Sequence, residues 1–184
     1  RHVSHGLGRL DGDPVFNALL GGTDPQTGFM EAAVDGAKES RQRYLPNTAI
    51  LETTIEGAGG SMRIWDFAPR FRRFGRMFRP PMLIRRLEPI AGRPRVTLRL
   101  RPSFNYGAQK AQVTVGSNHV RYYGDTSVLR LTTDASLNYV LHETEFSLDR
   151  PVTLIVGADE SIPENVDGLA RSFLGETEVY WQTW

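Results

Sequence analysis

The feature that most restricts this chain is an alternation. From Ala49 to Glu56, the residues Ala49, Leu51, Thr53 and Ile55 interleave with Ile50, Glu52, Thr54 and Glu56. A period of two sends successive side chains to opposite faces, which only an extended strand does. Gly57, Gly59 and Gly60 follow, with the backbone freedom a reversal needs, and Ser61 to Phe67 is β-prone again. The two halves therefore predict a hairpin. Upstream, Pro46 lacks an N–H for a ladder and biases Leu45 toward an extended conformation, so Pro46-Asn47 closes the segment.

Similar segments recur along the chain. Gly28 to Val34 and Glu39 to Leu45 read as strands around an Asp35-Gly36 turn. Met82 to Leu87 and Arg95 to Leu100 follow, separated by Gly92-Arg93-Pro94. In the second of these, Val96, Leu98 and Leu100 face one way and Arg95, Thr97, Arg99 and Arg101 the other, the signature of a half-buried antiparallel strand. Val113 and Val115, a Gly116-Ser117-Asn118 turn, then Val120 and Tyr122 predict another hairpin, and Ser127 to Leu131 a further strand. Tyr139 to Phe146 and Val152 to Val156 close the β region. The unbroken Val-Thr-Leu-Ile-Val of the last predicts a strand covered on both faces.

Two helices are expected. Asp13 is placed to cap a short early one with Pro14 at its first position and Val15, Phe16, Leu19 and Leu20 as its apolar face, ended by Gly21-Gly22. At the far end, Ser161 and Glu164 fit a capping box. Val166, Leu169, Ala170, Phe173, Thr177, Trp181 and Trp184 then recur at helical spacing, predicting a helix over about 164–184. Many short strands and no long helix among them favour an all-β fold, an antiparallel, supersandwich-like β-sandwich forming a single domain over residues 1–184. A chain of that length buries roughly 70% of its unfolded surface.

Ordered motifs along the chain resemble a known family. Tyr44-Leu45-Pro46-Asn47-Thr48 with Leu51-Glu52-Thr53-Thr54, followed by Arg63-Ile64-Trp65-Asp66-Phe67, resembles the N-terminal, trehalase-like domain of bacterial glycoside hydrolase family 15 proteins. Asp11-Gly12-Asp13-Pro14-Val15-Phe16-Asn17-Ala18-Leu19-Leu20 resembles the early segment of that domain, and Arg101-Pro102-Ser103-Phe104-Asn105-Tyr106-Gly107 its mid-domain motif. Glu176-Thr177-Glu178-Val179-Tyr180-Trp181-Gln182-Thr183-Trp184 resembles the helix that leads into the catalytic barrel. The polar stretch Arg1 to Gly8 departs from the strand that the family places before its first motif. The resemblance implies a non-catalytic accessory domain of a glucoamylase- or trehalase-like enzyme. Its partner would be the α/α barrel of the same polypeptide, with carbohydrate a further candidate ligand. The alternative is a stand-alone carbohydrate-binding sandwich.

The residues themselves assign no catalytic pair, metal site or cofactor. Glycoside hydrolysis needs two carboxyl groups at a defined separation. Glu52, Glu143 and Glu145 read as solvated sheet acids, and Asp66 as a strand-end carboxylate paired with an arginine such as Arg63 or Arg70. Trp65 beside Asp66 is expected to be buried in the sheet. His2 and His5 lack companion ligands, His119 and His142 read as ordinary sheet residues, and Gly6-Leu7-Gly8 follows no strand that would make it a phosphate loop. A net charge of +1 disfavours nucleic acid as a partner, and no apolar run reaches the roughly 18 residues of a membrane span. No signal-peptide hydrophobic region opens the sequence, and the absence of cysteine suits a cytoplasmic location.

The exception to this even composition is Pro69 to Pro81. It interleaves Arg70, Arg72, Arg73, Arg76 and Arg79 with Phe71, Phe74 and Phe78. A long hairpin loop with its phenylalanines packed down is expected, with a nucleic-acid or acidic-surface binder as the alternative. Together with Tyr180, Trp181 and Trp184, the residues Arg72, Arg73 and Arg76 are candidates for an interdomain contact.

Overall fold

The computed structural model describes residues 13–18 and 26–183. In chain order the elements begin with β1 (Phe29–Val34), β2 (Glu39–Tyr44), β3 (Leu51–Gly57), β4 (Gly60–Phe67), β5 (Phe71–Arg73), β6 (Arg76–Phe78) and β7 (Met82–Gly92). The middle of the chain gives β8 (Arg95–Arg101), β9 (Ser103–Phe104), β10 (Gln109–Lys110), β11 (Gln112–Val115), β12 (His119–Tyr123) and β13 (Val128–Thr133). It ends with α1 (Leu137–Leu141), β14 (Phe146–Ser147), β15 (Val152–Gly157) and α2 (Val166–Gln182). Eight strands form one antiparallel sheet in the order β11-β12-β13-β15-β7-β4-β3-β2, and β1-β8-β14 form a smaller one. The architecture is an all-β sandwich.

Strand alternation divides the apolar residues between two interiors. On β7, Leu83 and Leu87 point between the sheets and meet Met62 and Ile64 of β4, Leu154 and Val156 of β15, and Val96, Leu98 and Leu100 of β8. Ile84 points the opposite way and joins Ile50, Phe67 and Ile155 beneath Val166, Ala170 and Phe173 of α2. The molecule thus has three layers, with the large sheet in the middle. Every residue of β15 is buried, which is why this strand reads as an unbroken apolar run.

The β3–β4 hairpin forms as the alternation predicts, in register from Leu51 opposite Asp66 to Gly57 opposite Gly60. Gly60 has φ 144°, and a Cβ there would collide with the Ala91 carbonyl oxygen of β7, so the glycine permits both the turn and the close approach. The Asp35-Gly36 turn also forms, but it joins two layers. β1 pairs with β8 of the small sheet, and β2 pairs with β3 of the large one.

Three expectations need correction. Tyr139 to Phe146 is not a strand. Tyr139 and Leu141 fit an alternation, but Leu137, Val140 and Leu141 fit a helical turn, and α1 ends at His142, before Glu143 turns left-handed at φ 51°. The Tyr139 ring then stacks on Phe146, with centroids 4.3 Å apart. The cap of α2 is Asn165, whose side chain accepts the Gly168 N–H at 2.7 Å, in place of the Ser161–Glu164 box. Asp13 does not cap a helix. Its carboxylate accepts the backbone N–H groups of Asn105 and Tyr106, two consecutive left-handed residues, and Pro14 to Asn17 are not helical. Leu19, Leu20 and Gly21-Gly22 lie outside the described residues, as do Arg1 to Gly8 with His2 and His5.

Candidate functional site

The basic segment folds into a two-stranded hairpin that packs on α2. Strands β5 and β6 pair Phe71 with Phe78, Arg72 with Met77 and Arg73 with Arg76. Phe74 and Gly75 make the turn, both at positive φ (50° and 74°), as a tight two-residue hairpin turn requires. Paired residues share a face. Phe71 and Phe78 therefore point together onto Phe173, with centroid separations of 4.9, 5.2 and 5.4 Å within the trio. Polar contacts bind the same seam. The Arg70 backbone N–H donates to the Thr177 hydroxyl at 3.2 Å, and its guanidinium donates to the Tyr180 hydroxyl at 3.1 Å. That guanidinium also lies 5.4 and 5.7 Å from the ring centroids of Tyr180 and Trp181.

The structure thus brings together most of the interdomain candidates read from the sequence. Arg72, Arg73 and Arg76 stand exposed on the hairpin, and Tyr180 and Trp181 lie half-buried on α2 beside it. Trp184 lies outside the described residues. The expectation that all three phenylalanines pack down is wrong for one of them. Phe74 sits at the tip with 94% of its surface exposed, because the register pairs Phe71 with Phe78 and leaves the turn to it. Met77 (38% exposed) and Val179 (59%) add apolar surface nearby. Between hairpin and helix runs a cleft of about 640 Å³, lined by Arg72, Met77, Val179, Tyr180 and Thr183 and by Glu176, whose carboxylate accepts the Ser172 hydroxyl at 3.1 Å. On the opposite flank of α2, a shallower recess of about 750 Å³ lies between Trp181 and the Tyr44–Ala49 turn. Sequence reading missed Phe74, Met77 and Val179 as exposed residues. A phenylalanine directly before Gly75 in a turn position was the available signal.

A second arginine-rich region occupies the same side of the large sheet. Arg43 contacts Glu52 at 2.7 Å, Glu52 contacts Arg63 at 3.5 Å, and Arg63 contacts Glu88 at 3.5 Å. Glu88 meets Arg86 at 2.5 Å, Arg86 meets Asp167 at 2.9 Å, and Asp167 meets Arg171 at 3.0 Å. Charges alternate along the whole chain of contacts, from the edge strand to the first turns of α2. Burial opposes the charge on Arg86 most strongly, but hydrogen bonds and fields from Glu88 and Asp167 outweigh it and hold the guanidinium above its ordinary value.

This network corrects two sequence expectations. Glu52 is buried, not solvated, because Arg43 and Arg63 close over it. Trp65 is half-buried, not buried: its Nε1 donates to Glu88 at 3.4 Å, and the Arg63 guanidinium sits 5.3 Å from its ring centroid.

The remaining acids are also engaged. Asp66 lies inside the sandwich in a two-pronged pair with Arg85, at 2.7 and 2.9 Å, and Arg85 donates further to the Met30 carbonyl at 3.2 Å. Its partner is therefore neither Arg63 nor Arg70, because Asp66 faces inward beside β7. Glu143 follows a helix and takes Arg101 at 2.5 and 2.7 Å, whose hydrogen bond holds its carboxyl below the usual glutamate range. Glu145 contacts Arg95. Asp134 is pushed above the usual aspartate range by burial, although the Thr153 N–H donates to it at 2.7 Å. His142 is exposed at the end of α1, outside any strand, and burial beside Arg130 and Arg121 lowers the affinity of His119 for a proton. Among the described residues no cluster of His, Cys, Asp and Glu is arranged to hold a metal, and no helix is long and apolar enough to cross a membrane.

No family model, curated protein or solved structure matches this chain.

Proposed function

We propose that the chain is the non-catalytic β-sandwich accessory domain of a glycoside hydrolase resembling family 15, of the glucoamylase or trehalase type. Its work is to dock on the α/α barrel of the same polypeptide and stabilise it. The observation that supports this reading best is the surface formed by β5, β6 and the second half of α2. Two segments distant in sequence are welded there through Phe71, Phe78 and Phe173, yet Met77 and Val179 remain exposed along a cleft and Phe74 remains exposed at the hairpin tip. Apolar centres bordered by arginine are the usual anatomy of a protein interface. The enzyme class rests on the resemblance of the ordered motifs from Asp11 to Trp184.

The test has two parts. The reading frame after Trp184 is expected to continue into a barrel with paired acidic motifs, and a stop codon immediately after it would sink the proposal. The polypeptide carrying that barrel should release glucose from trehalose or maltooligosaccharide, whereas residues 1–184 alone should release none. Saturable sugar binding by residues 1–184 alone, lost on replacing an aromatic residue such as Phe74, would instead favour a carbohydrate-binding module.

A further inference from the structure

We infer that the β5–β6 hairpin is an arginine clasp that seats Phe74 in an apolar recess ringed by carboxylates on the barrel. This rests on the accessory-domain reading and names the chemistry of the face it meets.

The first ground is uncompensated charge. Among the described residues no carboxylate pairs with Arg72, Arg73, Arg76 or Arg79, although acids hold Arg43, Arg63, Arg86 and Arg171 on the neighbouring sheet face. The second ground is the register. Arg73 stands directly opposite Arg76, and like charges in that position weaken a strand pair. Among the described residues, Arg73 is offset by the rings of Phe74 and Phe78, at 5.7 and 6.0 Å. The third ground is Phe74 itself. Asparagine, aspartate and glycine suit a turn position at φ 50°, whereas a bulky aromatic there is an outlier. This hairpin thus bears a repulsive pair and a disfavoured turn residue, and among the described residues no carboxylate offsets the pair. A surface presenting carboxylates and a hydrophobic recess would use both.

The form of the surface selects a folded protein over a polyanion. Arg72 shares one face of the hairpin with Met77, while Arg73 and Arg76 share the other. The guanidinium groups therefore encircle the tip and do not form the linear stripe that a phosphate backbone follows. Met77 and Val179 add apolar area along the cleft and Phe74 adds it at the tip, and the net charge of +1 gives no general attraction to polyanions. Planar guanidinium forks match carboxylates two bonds at a time, which rewards arginine over lysine in this role.

The experiment uses the polypeptide that includes the barrel and follows the rate of protease nicking between the domains. Changing Arg72, Arg73 and Arg76 together to glutamate should accelerate nicking on the order of tenfold, and changing all three to lysine by less. Phe74→Gly is the sharper variant, because its two effects have opposite signs. It should accelerate nicking while residues 1–184 alone melt at the same or a higher temperature, since glycine relieves the turn. Unchanged nicking in the glutamate variant would overturn the clasp and leave the accessory-domain reading standing. A reading frame without a barrel would overturn that reading and, with it, the occupant named here. Binding of a 20-nucleotide single-stranded DNA or of phosphatidylserine vesicles to residues 1–184, abolished by the glutamate variant while nicking is unchanged, would replace the clasp by a polyanion site.

Discussion

Two arginine-rich surfaces lie side by side on this domain and behave as opposites. On the sheet face, Glu52, Glu88 and Asp167 alternate with Arg43, Arg63, Arg86 and Arg171, so each charge meets its complement within the fold. On the hairpin, Arg72, Arg73, Arg76 and Arg79 stand in solvent, and two of them oppose each other across the strands. Arginine content alone does not separate the two. What separates them is the address of the partner acids, supplied by β3, β7 and α2 in one case and by no described residue in the other. The first surface is thus part of the domain's own stability, and the second is available to another molecule.

The largest effect is expected in the sandwich interior, where internal pairing is most complete. Asp66→Ala strands the Arg85 guanidinium between the sheets and should cost about 3–5 kcal/mol, lowering the melting temperature by about 10 °C or more. Replacing both partners with apolar residues of similar size should restore most of that loss, and failure to do so would mean the pair has a further role. Next comes the sheet face. Glu88→Ala removes an acceptor shared by Arg63, Arg86 and the Trp65 indole, so a loss of about 1.5–3 kcal/mol is expected in chemical denaturation.

Acid should separate the hairpin from an internally paired charge on the small sheet by a smaller margin. Glu143 has its folded-state proton affinity depressed, so its contribution is complete above the ordinary value of 4.5 and is lost as pH falls below it. Melting curves of the parent and of Glu143→Gln should therefore differ by about 1 kcal/mol or less at pH 7 and converge toward pH 3. A hairpin variant should run parallel to the parent throughout that range. The smallest effect belongs to the hairpin itself. Arg76→Thr relieves the opposition to Arg73 and should leave stability within about 0.5 kcal/mol of the parent, or slightly above it. A loss above 2 kcal/mol would show that the hairpin arginines serve the fold after all.

The sequence made the strands legible where one physical rule operated alone. Alternation marked β3 and β8, β propensity after a glycine turn marked β4, an unbroken apolar run marked β15, and a 3.6-residue period marked α2. It failed where two rules competed or where the answer lay across the sheet. Tyr139 and Leu141 satisfy an alternation while Leu137, Val140 and Leu141 satisfy a helix, and burial of Val140 with the Tyr139–Phe146 stack favours the latter. The partner of Asp66 depends on the β4–β7 register, which an inserted hairpin hides from local reading. Glu52 does point away from the sandwich, as its parity suggests, but long arginines from both neighbouring strands bury it. For the candidate site, the basic and aromatic composition of Pro69 to Pro81 was visible at once. The exposure of Phe74 was not, because it follows from the pairing of Phe71 with Phe78.

The layer formed by α2 has a consequence for the protein's birth on the ribosome. Ile50, Phe67 and Ile84 form an apolar stripe whose cover, Val166, Ala170 and Phe173, is encoded far downstream of them. At ordinary synthesis rates, the interval between the emergence of Ile84 and that of Phe173 is on the order of ten seconds. The neighbouring strand β15 is also late, so the centre of the large sheet waits for both its partner and its lid. We expect nascent chains arrested before Phe173 has emerged to expose β4 and β7 to protease and to recruit a chaperone, and chains arrested well beyond it to resist. Equal protection at both lengths would mean that the sheet closes without its helical cover.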